Sequence, residues 1–272
     1  MQQVESIAEL EVALSDKRNS LIALVPTMGA LHAGHAALVA KAKELAPTVV
    51  LSIFVNPLQF GESSDFARYP RTLQADANSA ESYGADILWT PREEDVYPQG
   101  LAVVKVDGGE LSDEYEGAIR PGHFSGVLTV VGRLFAAVRP DVAVFGEKDR
   151  QQLELVRRMN SGLKIVGVPT VRESDGLALS SRNRFLVGEQ RNQALAISRS
   201  IANAQLNTGL DVVGIKAGVA RDLKDLQVEY AHLIDAKTWR PVPDDFSGEA
   251  LLLIAAKVGS VHLIDNGELR IG

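Results

Sequence analysis

Apolar positions along this chain recur in two registers. Short continuous runs at residues 21–25, 49–55, 87–89, 142–145 and 165–168 have the pattern of strands buried on both faces of a parallel sheet. Between them lie helical patterns. Residues 4–17 read as an amphipathic helix, and 34–45 as a second one that stops near Pro47. Thr72 is a candidate N-cap for a helix running to residue 83. Val127, Val130, Val131, Leu134 and Val138 share one helical face, and 151–159 read as a further helix. Strands alternating with helices predict right-handed βαβ units and an α/β fold.

The texture changes near Glu173 and Ser174. Helical stretches at 188–206 and 212–226 are followed by strand-like runs at 229–234, 251–258 and 261–264. Helices followed by strands predict a smaller, separate α+β domain. The expected division is therefore residues 1–173 and 174–272, and 272 residues at roughly 150 per domain allow two. The pattern contains no internal repeat and no low-complexity tract.

Composition narrows the function. Apolar residues make up 46% of the chain, which argues against a disordered protein. The net charge is −7, a poor balance for a nucleic-acid partner. Residues 93–116 alone carry that −7, with eight acidic residues against Lys105, so the rest of the chain is neutral. The absence of cysteine removes disulfides, thiolate nucleophiles and cysteine-ligated metal centres, and fits a reducing compartment. No basic patch followed by an apolar run opens the chain, and no apolar stretch approaches the ~20 residues of a membrane span. A soluble cytoplasmic protein without membrane or nucleic-acid partners is expected.

Four strand-to-helix or loop segments carry candidate chemistry. The first is Pro26-Thr27-Met28-Gly29-Ala30-Leu31-His32-Ala33-Gly34-His35. Helix N-termini after buried strands offer free N–H groups to phosphate, and paired imidazoles add donors or charge. The bland alternative is one capping and one packing histidine; zinc would need a third ligand that is not nearby. The second is Phe145-Gly146-Glu147-Lys148-Asp149-Arg150-Gln151-Gln152, in which Lys148 offers a compact charge; an exposed charged turn is the alternative. The third is Leu179-Ser180-Ser181-Arg182-Asn183, with hydroxyls and a guanidinium for phosphate oxygens, or else an ordinary helix cap. Asn56 and Gln59, after another strand, offer amides to a small polar acid, unless they are buried turn amides. This order suits an enzyme that attacks the α-phosphate of ATP and releases pyrophosphate.

The motifs Pro-Thr-Met-Gly-Ala-Leu-His-x-Gly-His, Asn-Pro-x-Gln-Phe, Tyr-Pro-Arg-Thr, Gly-Glu-Lys-Asp, Asp-Gly-Leu-Ala and Ser-Ser-Arg-Asn stand in this order along the chain. In this it resembles the pantothenate synthetase (pantoate–β-alanine ligase) family, essentially end to end. The resemblance implies a Rossmann-like ATP- and pantoate-binding domain with a C-terminal lid. It implies ligation of pantoate to β-alanine through pantoyl adenylate, with magnesium accompanying ATP, in a homodimer. It places Met28, Gly29, Ala30, Leu31, His32, Ala33, Gly34 and His35 on ATP, His35 as proton donor. Gly146, Glu147, Lys148 and Asp149 join them, with Lys148 on the phosphates. Val171 would meet the adenine, and Leu179, Ser180, Ser181 and Arg182 would close on the phosphates. Asn56, Gln59 and Gln152 would serve the pantoate and β-alanine sites, and Asp76 would partner magnesium-bound ATP. Arg150 and Ala37 depart from the family pattern at positions without assigned chemistry. Competing expectations are a cytidylyltransferase, which lacks the glutamine set, a tRNA synthetase, for which the chain is short and acidic, and a non-catalytic ATP sensor.

Overall fold

The buried runs assemble into one parallel sheet in the computed structural model, which describes residues 1–61, 63–103, 105–159, 162–206 and 209–272, with the side chains of 63–65 left aside. The chain forms two compact units, Met1–Thr170 and Val171–Gly272.

In the first unit the strands are β1 (Gln2–Val4), β2 (Ile22–Thr27), β3 (Thr48–Ile53), β4 (Ile87–Trp89), β5 (Val142–Gly146) and β6 (Lys164–Val168). Their order is β1-β4-β3-β2-β5-β6, and every pairing is parallel. The helices are α1 (Ile7–Leu14), α2 (Ala33–Leu45), α3 (Ser63–Arg68), α4 (Leu73–Tyr83), α5 (Glu93–Val96), α6 (Glu116–Ile119), α7 (His123–Val138) and α8 (Arg150–Arg158). Ala23, Leu24, Val25, Val49, Val50 and Leu51 are fully buried at the sheet centre, as continuous apolar strands require. The five apolar positions of the periodic stretch all lie buried on α7. From β2 the chain builds outward through β3 and β4, then returns to place β5 on the other side of β2. The carboxyl ends of β2 and β5 therefore flank the switch point, where open α/β sheets bind ligands.

One sequence expectation is corrected at the amino end. Residues 4–17 are not one helix. Ser6 accepts from the Glu9 N–H while the Glu9 side chain accepts from the Ser6 N–H, a capping box that starts α1 at Ile7. Gln2–Val4 is thereby left to pair with β4 as an edge strand.

The second unit contains α9 (Glu189–Leu206), α10 (Val212–Asp222) and an antiparallel sheet of β7 (Gln227–Asp235), β8 (Gly248–Val258) and β9 (Val261–Ile271). Ala194, Ile197 and Ile201 of α9 pack with Leu252, Ile254 and Ala256 of β8 in its core. Residues 171–173 lie with this unit. Arg172 pairs with Ala178 as a β-bridge, and its guanidinium donates to both oxygens of buried Asp265 on β9, at 2.6 and 3.1 Å. Among the described residues, no helix is long and apolar enough to cross a membrane.

Candidate active site

The β2 loop is built so that two imidazoles cap α2. His32 is the N-cap residue, and its Nδ1 accepts from the Gly34 N–H at 3.1 Å. The His35 Nδ1 accepts from the His32 N–H at 3.1 Å. Only an unprotonated ring nitrogen accepts, so each neutral ring carries its proton on Nε2. Both rings thus place one N–H donor beside the helix N-terminus, with centroids 4.2 Å apart. A side chain at Gly34 would lie 2.8 Å from the His32 ring, so the close approach requires glycine there. Burial pushes the His35 imidazole down to about 3; His32 adds to this and Asp149 opposes it. At neutral pH His35 is therefore an uncharged hydrogen-bond donor.

The loop ahead of the histidines is bent sharply. Gly29 and Ala30 both adopt positive φ, +85° and +51°. Asp76, buried on α4, holds this bend: it accepts from the Ala30 N–H at 3.0 Å, the Leu31 N–H at 2.8 Å and the Thr72 hydroxyl at 3.0 Å. The Thr72 hydroxyl is spent on Asp76 and makes no cap bond to α4. Asp76, expected beside magnesium, thus directs its oxygens at donors of the protein itself.

The amide residues divide. Asn56, 1% exposed, donates to the Gln59 Oε1 and the Gly126 carbonyl, and accepts from the Leu58 N–H and the Tyr97 hydroxyl. All four of its hydrogen-bonding capacities are used inside the protein, which does not fit the expectation that it meets a substrate. Gln59 sits beside it, and its Nε2 reaches the Met28 Sδ, which brings the 56–59 turn against the β2 loop. Gln151 is likewise consumed: its Nε2 donates to the Leu111 and Glu114 carbonyls and its Oε1 accepts from the Glu116 N–H. Gln152, half-buried, carries no such bond among the described residues.

After β5, a 3-10 turn at Glu147–Asp149 leads into α8, with Lys148 Nζ 3.8 Å from the Asp149 carboxylate and Arg150 paired to Glu147 at 3.6 Å. The Asp149 charge is felt at both His35 and His123, so the β2 and β5 loops face a common region. In the second unit, Ser180 caps a 3-10 turn at Ser181–Phe185 by accepting from the Arg182 N–H at 3.2 Å. The Leu179 N–H donates to the Val171 carbonyl, so Val171 and Leu179 are partners across one hairpin.

Sequence reasoning passed over His123 and Arg120. Both bond the Gln59 carbonyl, at 2.8 and 3.3 Å. Their only sequence signal is an arginine and a histidine spaced three apart at the start of a helix.

A parallel sheet with paired imidazole donors and a lysine turn at its switch point defines the class: an α/β enzyme acting on a phosphorylated substrate. The comparisons make this particular. The family model described as pantoate-beta-alanine ligase matches residues 2–268. A pantothenate synthetase of Streptomyces avermitilis is 42% identical over 314 residues, covering 94% of each chain. The crystal structure of pantothenate synthetase from Thermus thermophilus superposes with a TM-score of 0.90 at 43% identity, covering 98% of this chain and 99% of that one. The pantoate-beta-alanine ligase of Francisella tularensis, complexed with beta-gamma ATP and beta-alanine, gives 0.80 at 33% identity, covering 98% and 97%. The chain belongs to the pantoate–β-alanine ligase family.

Proposed function

We propose that the chain condenses pantoate with β-alanine in two half-reactions driven by ATP. In the first, a pantoate carboxylate oxygen bonds to the α-phosphorus while the bond to the bridging oxygen breaks, releasing pyrophosphate. In the second, the β-alanine amine attacks the acyl carbon of pantoyl adenylate and loses a proton. AMP leaves with the electron pair of the broken acyl–oxygen bond. Activation is needed because an unactivated carboxylate would have to expel oxide.

The observation that carries this reading is the imidazole pair capping α2. Its two Nε2–H groups and the positive end of the helix suit the charge that builds on the phosphates in the transition state. His35 acts here as a neutral donor that keeps its proton. Met28 to His35 and Gly146 to Asp149 line the ATP site, with Lys148 on the phosphates. Gln59 and Gln152 hold pantoate, Gln59 also lying toward β-alanine, and Asn56 orients Gln59. The family resemblance assigns Val171 to the adenine and Leu179, Ser180, Ser181 and Arg182 to the phosphates.

Magnesium is placed with ATP as part of the substrate. Among the described residues no group of three His, Asp or Glu residues is arranged to hold a metal, and the Asp76 oxygens already accept three donors. The described residues form no resident metal site. The family resemblance supports a cytoplasmic homodimer, which sedimentation of the purified protein tests.

Purified protein with ATP, magnesium, pantoate and β-alanine is expected to yield AMP and pyrophosphate; the absence of AMP would overturn the assignment. His35→Ala and Lys148→Ala are each expected to lower adenylation at least ~10²-fold, the usual effect of removing one preorganised donor. Unchanged turnover in either variant would remove that residue from the mechanism.

A further inference from the structure

Behind Gln59 lies a polar network with no substrate role assigned to it. His123 opens α7 and is 8% exposed. Its Nδ1 is 2.8 Å from the Gln59 carbonyl oxygen, which only accepts, so Nδ1 carries the proton. The Nε2 of the neutral ring is then an acceptor, and Arg120 Nη1 donates to it at 3.2 Å. Arg120 Nη2 donates to the same Gln59 carbonyl at 3.3 Å, and buried Glu116 balances the guanidinium at 3.3 Å. Burial holds His123 in this neutral form, pushing it down to about 4, and the neighbouring Arg120 adds to the shift. The same face of α7 touches the turn again at Gly126. Its carbonyl accepts from Asn56 Nδ2 at 3.1 Å, and a side chain there would lie 2.2 Å from the Leu58 carbonyl oxygen. On the front of the turn, Asn56 fixes the Gln59 Oε1, and the Gln59 Nε2 reaches Met28 of the β2 loop.

We propose that His123, with Arg120, is a positioning residue for the ligase reaction: two donors on one main-chain carbonyl fix the peptide plane of Gln59 and thereby aim its side-chain amide at the hydroxy-acid substrate. This deepens the reading of Gln59 as a substrate contact and rests on it. The physical warrant is the length of the lever. A carbonyl with one fixed donor can tilt, whereas two convergent donors set its plane. A tilt of that plane swings the amide at the far end of the side chain, and displacements near 1 Å at a reacting group carry large rate and binding costs. A network serving the fold alone would have no reason to affect one substrate more than another.

The test uses the full chain and initial rates with pantoate, β-alanine and ATP varied in turn. His123→Phe keeps the ring and removes the donor, whereas His123→Asn keeps a donor near the Nδ1 position. His123→Phe is expected to raise the KM for pantoate roughly 10-fold while the KM for ATP stays within about two-fold. His123→Asn is expected to recover most of the loss. On a Gln59→Ala background, His123→Phe is expected to add little, because the side chain it aims is gone. An unchanged pantoate KM in His123→Phe, an equal rise for ATP, or full additivity with Gln59→Ala would each overturn the proposal. If His123→Phe does not accumulate as folded protein, Arg120→Met removes the second donor and must show the same one-substrate effect; a rise in ATP KM or none at all would overturn it. Gln59→Ala with a normal pantoate KM would instead overturn the reading of Gln59 itself. An impaired Gln59→Ala beside a silent His123→Phe would overturn the positioning alone.

Discussion

The loop at 26–35 of the first unit and the loop at 171–185 of the second are both proposed to hold ATP, yet they are held by different means. The first is fastened by neutral groups and main-chain donors around one buried carboxylate: Asp76 takes the Ala30 and Leu31 N–H groups, and two ring nitrogens take those of His32 and Gly34. The second is fastened by ion pairs, those of Arg191 partly exposed and that of Arg172 set on the buried Asp265. Arg191 joins Glu173 and Asp175, both at 2.7 Å, Asn183 also donates to Glu173, and Arg172 holds Asp265. Donors that must sit on a phosphate within fractions of an ångström need a setting that neither salt nor water loosens. The second loop is tied by long charged side chains to α9 and β9, so its geometry follows the unit that carries it.

The sharpest way to break this contrast is Asp76→Asn. An amide cannot accept from three donors: one of its ends becomes an NH₂ facing a main-chain N–H. The variant is expected to lose about 3 kcal/mol of stability, the scale for charged hydrogen bonds broken in a buried site. Adenylation should fall ~10²-fold as the loop shifts. Urea unfolding and pyrophosphate release measure the two effects. Wild-type stability would show that the histidine caps alone hold the loop.

This comparison also shows what a sequence discloses. The parallel sheet was readable because strands buried on both faces must be continuously apolar, as Leu24 and Val50 are. The histidine loop was readable because its glycine spacing and its place after a strand are local. What stayed hidden depends on distant partners. Gln151 and Gln152 are identical neighbours, and only packing against residues 111–116 makes the first structural and leaves the second available. His123 answers a carbonyl 64 residues earlier, and Arg172 a carboxylate 93 residues later. The edge strand at Gln2–Val4 has one buried residue, Val4, too little pattern to separate it from the helix that follows.

A second contrast is expected on acidification. His35 and His123, both in the first unit, are depressed to about 3 and about 4 from 6.5. The unfolded chain therefore binds these protons first as pH falls. Stability is full above about 6.5 and declines toward the folded values, with a slope approaching roughly 1.4 kcal/mol per pH unit for each histidine. In the second unit burial lowers His232. The two tryptophans report the units separately: Trp89 lies in the first and Trp239 in the second, both buried. With Trp239→Phe and Trp89→Phe, urea midpoints at pH 7 and pH 5 should drop further for the first unit than for the second. Equal drops would show that the units unfold together or that the buried histidines titrate normally.

The smallest expected effect sharpens the comparison most directly. Arg191 and its partners are each about a third exposed, so their attraction is screened. Hydrogen bonding from Arg191 lowers both the Glu173 and Asp175 pKa values, so this contribution is present above the ordinary carboxylate range and lost below it. Arg191→Met should cost less than about 1 kcal/mol at low salt, the scale of exposed pairs. The difference from the parent should shrink further in about 1 M salt, where the screening length falls to a few ångströms. The Asp76→Asn deficit should survive the same salt, because its lost bonds are buried and short-ranged. The KM for ATP is the second readout: freeing Glu173 loosens its hold on Asn183 and so the Ser180–Arg182 turn, raising that KM a few-fold without changing the pantoate KM. If Arg191→Met proves as costly and as salt-insensitive as Asp76→Asn, the two loops are held alike and the distinction drawn between them fails.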